Sequence, residues 1–334
     1  MAHMMKAGAA RGPSGEEENA MGDHDWAGDP LLQPPFEVVE PRVLSTPLVF
    51  DSPHSGSRYP RAFLDVSRLD PLALRRSEDA FVDELFLPCV GLGAPLLRAH
   101  FPRAFLDVNR EPFELDPQMF DGAPPERANT RSLRVAAGLG VIPRVVADAQ
   151  PIYKGRIPVA DALARVDAFH GPYHERLVGL MARARARFGL AILVDCHSMP
   201  STLAENGPLD VVLGDRFGAS AAGWIVDALE SALLAQGYRV RRNKPYAGGH
   251  IVERHGAPAR ALRGFARMHL APGETRHLTF TLKPRDLSMV NEQGEHVVAP
   301  GEYTVFIGGA QPAETTGGAK AKLVMTGEEV KLPR

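Results

Sequence analysis

The sequence predicts an α/β fold followed by a smaller all-β segment. Two apolar runs, 47–50 and 190–194, have the length of buried strands, and each ends at a polar tip that carries a histidine. Between them, residues 71–88 and 158–188 show helical periodicity, and this alternation is typical of an open α/β sheet. Because such sheets bind ligands at the carboxyl ends of their strands, the two histidine tips indicate a shared site.

Size, charge and cysteine content restrict the class of protein. A chain of 334 residues with 44% hydrophobic residues is long enough for a large α/β domain and a smaller one. The formal net charge of -2 argues against a nucleic-acid or anionic-membrane partner, which would favour a strongly basic face. Two cysteines imply no disulfide framework, and neither a run of about 18 apolar residues nor a signal-peptide core is evident. We therefore expect a soluble, cytoplasmic protein.

The chain divides into three predicted segments. Residues 1–35 are rich in Gly, Ala, Glu and Asp without periodicity, which predicts a disordered leader. Residues 36–259 carry the α/β pattern. In 260–334, strand alternation and turn signals predict antiparallel β structure, so a boundary is expected at about 259–262. In the α/β part the predicted strands are 43–50, 104–108, 190–194, 209–213 and 238–242, and the predicted helices are 71–88, 158–188 and 217–236.

The two histidine tips favour a metal site. His54 lies in the sequence PHSG after the first strand, and His197 lies in DCHS after the later one. Hydrolytic zinc sites use three protein ligands and leave one position for a water whose pKa falls to about 7. The third ligand is expected among Asp79, Asp83 and Glu78, in that order, because these acids share one predicted helix after the first strand. Taken singly, a turn or core histidine and a solvated acidic helix face are the alternatives.

Further polar residues flank this predicted site. Asn109 and Arg110 follow the predicted strand 104–108, and the guanidinium fork suits a carboxylate, with a surface ion pair as the alternative. His250 and Arg254 follow a glycine-bearing loop and suit a segment that covers a substrate, with a plain solvated loop as the alternative.

The neighbours of His197 have two possible roles. Asp195 precedes it by two residues and is expected on the same side, where it could orient the ligand or cap a turn. Cys196 is poorly placed as a nucleophile for His197, because adjacent residues of an extended chain point to opposite faces.

Several stretches, in one order, resemble the N-formylglutamate amidohydrolase (N-formylglutamate deformylase) family. They are PLVFDSPHSGSRYP, SEDAFVDELF, DVNREPFELDP, LVDCHSMPS, DVVLGDRFGAS and NKPYAGGHIVERHG, within about residues 40–258. The resemblance implies a phosphorylase/hydrolase-like three-layer sheet with helices on both faces, similar to the zinc carboxypeptidases. It also implies cleavage of N-formyl-L-glutamate to formate and L-glutamate, in histidine degradation, by attack of metal-activated water with Zn2+ or another divalent metal.

The same resemblance implies a set of site residues. The set comprises metal ligands, residues that bind the substrate carboxylates, and one catalytic residue near the reacting centre. These are His54, His197 and an acid from 78–83, with Asp79 preferred, for the metal, Asn109, Arg110 and Arg254 for the substrate, and His250 for catalysis.

The resemblance ends after about residue 258. There the family is expected to continue into a strand with a glutamate that, by analogy with the zinc carboxypeptidases, is the general base, and Glu253 and Glu274 are the weak substitutes in this chain. Residues 260–312, which include FTLKPRDLSMVNEQGEHVVAPGEYTVFIGG, are instead similar to the fibronectin-III-like domain of family 3 glycoside hydrolases, without its first strands. Two alternatives follow: a catalytically impaired fusion that acts as a binding or accessory module, and a hydrolase of another N-acyl amino acid.

Overall fold

A computed structural model describes residues 24–201, 209–218, 220–255, 266, 269, 273–290, 296–308, 318–328 and 330–332. The chain divides into two compact units, Met1–Ala259 and Arg260–Arg334. The first unit has a mixed α/β architecture. Within the described residues, no helix is both long enough and apolar enough to cross a lipid bilayer.

The first unit contains both strands and helices along its chain. Its strands are β1 (Phe36–Val39), β2 (Leu48–Ser52), β3 (Leu96–Ala99), β4 (Phe120–Asp121), β5 (Val145–Val146), β6 (Gln150–Pro151), β7 (Ile157–Pro158), β8 (Ile192–Asp195), β9 (Val211–Leu213) and β10 (Val240–Arg242). Its helices are α1 (Arg61–Val66), α2 (Pro71–Leu74), α3 (Val82–Phe86), α4 (Pro88–Gly91), α5 (Leu133–Ala136), α6 (Val159–Arg165), α7 (Gly171–Phe188), α8 (Gly223–Ala235) and α9 (His250–His255). The strand predicted at 104–108 is absent, and these described residues lie in turns and irregular backbone.

The central sheet places the ends of two parallel strands side by side. Its order is β1-β3-β2-β8, with β2 parallel to both β3 and β8 and β1 antiparallel to β3. In the pairing of β2 with β8, Asp51 lies opposite Asp195. The residues that follow the two strands therefore leave the sheet at the same edge, as predicted from the two histidine tips. Strands β9 and β10 form a separate parallel pair.

The core of the first unit includes one face of its longest helix. Tyr173, Leu177, Leu180 and Ala184 of α7 are buried, at the spacing of an amphipathic helix. A π-helical turn, Val166–His170, joins α6 to α7, so the helix predicted over 158–188 is confirmed with a local change of pitch.

The segment before β1 differs from the disordered leader predicted for residues 1–35. Residues 24–35 form two 3-10 turns, and the side chains of Trp26 and Leu32 are buried in the core. The indole N–H of Trp26 donates to Asp161 Oδ1 at 2.6 Å. The disorder predicted from composition is wrong for these residues, because two buried apolar side chains anchor a short segment that has no periodic pattern. Residues 1–23 lie outside the described part of the chain.

The second unit contains β strands in its described residues. They are β11 (Met289–Val290), β12 (His296–Val298), β13 (Gly301–Gly308), β14 (Gly318–Met325) and β15 (Val330–Lys331), after a 3-10 turn at Pro284–Asp286. Strands β13 and β14 pair antiparallel over their whole length, and β12 pairs antiparallel with β11 and β15. Val297 is buried between them.

Candidate active site

Three segments bring a histidine, an aspartate and a second histidine together. His54 follows β2, and His197 follows β8. Asp79 comes from a break in the helix predicted over 71–88, which the structure divides into α2, a 3-10 turn, α3 and α4. At this break the Asp79 N–H donates to the carbonyl oxygen of His54, and Phe81 takes a positive φ of 65°. The interruption turns Asp79 towards the strand end, which a continuous helix could not do.

The side chains of these residues converge on one carboxylate oxygen. Asp79 Oδ2 lies 3.3 Å from His54 Nδ1 and 2.8 Å from His197 Nδ1. One ligand atom from each of the three residues lies within 4.8 Å of the other two. Two imidazole nitrogens and a carboxylate oxygen are a donor set that zinc accepts.

The other two acids considered as third ligands point elsewhere. Asp83 Oδ2 pairs with Arg98 Nη1 at 3.0 Å. Glu78 accepts a hydrogen bond from the Tyr59 hydroxyl and pairs with Arg75 Nε at 3.1 Å. The geometry therefore groups Asp79, and neither of its neighbours, with the two histidines.

Each histidine has its other ring nitrogen on a buried carboxylate. His54 Nε2 lies 2.7 Å from Asp107 Oδ1, and His197 Nε2 lies 2.9 Å from Asp195 Oδ1. Partners of this kind fix the tautomer and the ring orientation of metal-binding histidines. For His54, an Nε2–H directed at Asp107 leaves Nδ1 to face Asp79. His197 also turns its Nδ1 to Asp79, so both rings present Nδ1 to the same carboxylate.

The electrostatics of the group favour a cation between the three side chains. Burial opposes the charge on His197, but Asp195 and Asp79 outweigh it and raise the pKa of His197 to about 10. Burial also favours the neutral form of Asp79, yet hydrogen bonds from His197 and His54 hold the pKa of Asp79 far below its usual range. The Asp79 carboxylate is thus held in its ionised form, and it faces both Nδ1 atoms.

Asn109 connects this group to the helix α9. Its Nδ2 lies 3.2 Å from Asp195 Oδ2 and 3.0 Å from His197 Nε2. Its Oδ1 accepts the N–H of Ile251 at 2.8 Å. Gly249 allows this approach, because a Cβ there would overlap the Asn109 side chain. Asn109 is therefore placed at the site and is fixed by both of its amide atoms.

The two arginines predicted to bind substrate lie in different surroundings. Arg110 is largely buried, and it donates through Nε to the carbonyl oxygen of Leu139 at 2.8 Å and through Nη1 to that of Asn109 at 2.9 Å. Arg254 is exposed on α9, and its charge contributes to lowering the pKa of His170. Nothing in the sequence pattern indicated that main-chain carbonyl oxygens would accept hydrogen bonds from two nitrogens of Arg110.

His250 lies in a second histidine cluster. Its ring centroid is 5.5 Å from that of His174 and 6.0 Å from that of His170. His170 Nε2 donates to the carbonyl oxygen of Arg110 at 2.9 Å, and His174 Nε2 donates to that of Val108 at 2.8 Å. The cluster thus fixes the chain on either side of Asn109. The four-residue spacing of His170 and His174 on a helical stretch was the available signal for it.

A pH dependence of stability follows from His170. Burial lowers the pKa of His170 to about 4, against an ordinary histidine value of 6.5. Between these values the unfolded chain binds the proton and the folded chain does not, so the free energy of unfolding falls as the pH drops, by about 3 kcal/mol in total for this group. His170→Gln keeps an N–H donor and should flatten the dependence of urea unfolding between about pH 6.5 and 4. An unchanged slope would show that His170 does not carry this linkage.

The sequence pattern missed three residues at the site. Asp107 holds His54, the Ser198 hydroxyl donates to Asp79 Oδ1 at 2.8 Å, and Arg103 Nε donates to Asp107 Oδ2 at 3.0 Å. The four-residue spacing of Arg103 and Asp107 was a weak signal.

Of the substitutes considered for the general base, the Glu253 side chain lies outside what the structure describes, and Glu274 belongs to the second unit.

Fold and site together define a class: an open α/β sheet with a His-Asp-His group at its strand ends, each imidazole backed by a carboxylate. The family model of N-formylglutamate amidohydrolase matches residues 46–266. This chain belongs to that family. The family model of the fibronectin type III-like domain matches residues 249–311. The two matches overlap at 249–266, and the predicted join at 259–262 falls inside the overlap.

Individual relatives agree with these matches. The chain is 30% identical over 228 residues to N-formylglutamate deformylase of Pseudomonas aeruginosa, which covers 66% of this chain and 79% of that protein. It matches the crystal structure of N-formylglutamate amidohydrolase from Ralstonia eutropha JMP134 with a TM-score of 0.62 and 36% identity, over 67% of this chain and 82% of that one. It is also 30% identical over 122 residues to probable beta-glucosidase D of Aspergillus flavus, which covers 33% of this chain and only 15% of that protein.

Proposed function

We propose that this chain is a metal-dependent amidohydrolase that cleaves N-formyl-L-glutamate with water to formate and L-glutamate. The observation that carries the proposal is the convergence of His54 Nδ1, His197 Nδ1 and Asp79 Oδ2 at the edge of the sheet. The family and the relatives named deformylase supply the substrate. The reaction would be a step in the degradation of histidine.

We assign the metal to His54, Asp79 and His197. The donor set, two imidazoles and a carboxylate, fits zinc better than the all-oxygen environments that magnesium and calcium prefer. A divalent ion held there would polarise the formyl carbonyl and lower the pKa of a water molecule. Asp107 and Asp195 would keep the two imidazoles oriented with Nδ1 towards the ion.

Residues around the metal ligands would bind and orient the substrate. Asn109, Arg110 and Arg254 are assigned to the carboxylates of N-formyl-L-glutamate, since guanidinium and amide donors suit such groups. His250 is assigned to proton transfer near the reacting centre, where the departing amine needs a proton. Its neighbour Ile251 is tied to Asn109, and Asn109 contacts His197. This link keeps the start of α9 beside the metal ligands.

The finer architecture is also part of the proposal. We infer that the layering of 36–259 is akin to that of the zinc carboxypeptidases, and that 260–334 is a partial fibronectin-III-like sandwich. The compact units and the match of the second family model at 249–311 support this division. The glycosidase relatives add no assignment of sugar cleavage, because the matched part is a small share of their length.

Release of formate tests the proposed function. The purified full chain should release formate from N-formyl-L-glutamate when zinc is supplied, and a chelator should abolish the release because the ligands lose their ion. His197→Ala should be inactive, whereas Cys196→Ala should retain activity, since the thiol is buried beside the histidine and is assigned no role. Stoichiometric zinc binding without formate release would favour the alternative, a fusion with a binding or accessory role. Release from a different N-formyl amino acid alone would correct the substrate.

A further inference from the structure

We propose that Arg103 is a further substrate-contacting residue, whose guanidinium binds a carboxylate of the N-formyl amino acid beside the metal ligands. The inference rests on the proposed function and deepens it, because it names the cation that selects an acidic substrate. Neither the sequence pattern nor the resemblance assigned a role to this residue.

Arg103 is anchored to the same acid as a metal ligand. Its Nε donates to Asp107 Oδ2 at 3.0 Å, while Asp107 Oδ1 lies 2.7 Å from His54 Nε2. The side chain of Asp107 is 2% exposed, whereas that of Arg103 is 26% exposed. One buried carboxylate thus fixes both the imidazole and the guanidinium, and the guanidinium keeps a face towards solvent.

The terminal fork of Arg103 is available for a ligand. Among the described residues, only Nε of this side chain has a hydrogen-bond acceptor, and Nη1 and Nη2 donate to none of them. Arg110 differs, because its Nε and Nη1 donate to main-chain carbonyl oxygens and its side chain is 11% exposed. An end-on fork of two N–H groups matches the two oxygens of a carboxylate. Arg103 is therefore better prepared than Arg110 to bind a carboxylate.

The charges of the site act on Arg103. Burial opposes its charge, but Asp107 and then Asp79 outweigh burial and raise the pKa of Arg103, and the Tyr246 phenol adds to the effect. The groups whose charge acts on Arg103 thus include the proposed metal ligand Asp79 and the exposed Tyr246 of the loop before α9. A guanidinium anchored beside the proposed metal ligands would favour an anionic substrate.

A structural role alone would predict a different result. If Arg103 only orients Asp107, its loss should act through His54 and weaken metal binding, as the loss of outer partners of a metal ligand does. If Arg103 binds substrate, its loss should raise KM and weaken equilibrium binding of the substrate. Measurements of zinc affinity and of substrate binding therefore separate the two roles.

The variant Arg103→Gln, in the full chain, tests the inference. KM for N-formyl-L-glutamate should rise by about 10- to 100-fold, which is the usual effect of losing hydrogen bonds to a charged group. Saturation-transfer NMR on the metal-free protein should show the same loss of N-formyl-L-glutamate binding without turnover. N-formyl-L-glutamine and the α-amide analogue each lack one carboxylate, so the effect of the variant should vanish for the analogue that lacks the carboxylate bound by Arg103.

Arg144→Gln is the matched control. Arg144 also donates through Nε to the Oδ2 of a buried aspartate, Asp116, and is 35% exposed, but neither residue contacts the His-Asp-His group in the described structure. The Arg144→Gln variant should leave unchanged both the KM for N-formyl-L-glutamate and the substrate binding that NMR detects. The inference would be overturned if Arg103→Gln had the KM and the substrate binding of the wild-type protein. It would also be overturned if the variant bound zinc more weakly but bound the substrate as well as before. Absence of N-formyl-L-glutamate binding to the wild-type protein would overturn it as well, whereas binding without formate release would overturn only the proposed function.

Discussion

Replacing Asp79 with alanine should abolish stoichiometric zinc binding and, with it, release of formate. Asp79 contacts both Nδ1 atoms, so its loss removes one ligand and leaves His54 and His197 without the acid between them. Asp107→Asn should have a smaller effect, a loss of zinc affinity of about 10- to 100-fold, because it changes a partner that orients His54 and removes no ligand. Competition with a chromophoric chelator measures both affinities, and a formate assay follows the activity.

The matched control for Asp79 is its neighbour Asp83. Asp83 lies one helical turn later in the sequence and was an alternative third ligand, but its carboxylate pairs with Arg98 at 3.0 Å. Asp83→Asn should therefore retain zinc affinity and activity. Zinc affinity lost in Asp83→Asn but retained in Asp79→Ala would refute the assignment of the third ligand.

Replacing Arg165 with methionine should lower the free energy of unfolding by about 3–5 kcal/mol, as breaking a buried ion pair commonly does. Arg165 and Asp161 are fully buried, with Nη2 and Oδ2 2.7 Å apart. Arg165 Nη1 also donates to the Tyr153 hydroxyl at 3.0 Å, and the guanidinium lies 4.3 Å from the Phe105 ring centroid. Methionine fills much of the volume but leaves the Asp161 carboxylate without its cation.

Urea unfolding followed by tryptophan fluorescence measures this loss. Both tryptophans of the chain, Trp26 and Trp224, belong to the first unit, and Trp26 donates to Asp161. Arg183→Met on α7 is the control, because Arg183 pairs with Glu40 at 43% and 41% exposure, where ion pairs contribute at most about 1 kcal/mol. Adding Asp161→Asn to Arg165→Met should recover part of the stability. Equal losses for the Arg165 and Arg183 variants would contradict the buried-charge argument.

The sequence predicted the two histidines of the site because strand ends leave a strong pattern. An apolar run followed by a polar tip is visible without a structure, and the register of Asp51 with Asp195 then brings the residues after each strand together. Asp79 was harder to place, because the periodicity of 71–88 indicated one helix. The break at Asp79 depends on a hydrogen bond to His54, which is distant in sequence.

Two other features could not be predicted for the same reason. The carboxylates behind the imidazoles, Asp107 and Asp195, act through distances across the fold, and only the two-residue spacing of Asp195 from His197 hinted at one of them. Trp26 enters the core by pairing with Asp161, a contact between residues far apart in the chain. Local sequence patterns indicate helices and strands. Contacts between residues far apart in the chain form only when those helices and strands pack together.

The tether between Asn109 and Ile251 also bears on how the chain is assembled. Ile251 is only two residues inside the stretch, 249–266, that both family models match. Among the described residues of this stretch, His250 and Ile251 donate main-chain N–H groups to Asn109. Both contacts lie before residue 256, so a chain whose sequence differs only downstream of α9 would keep them.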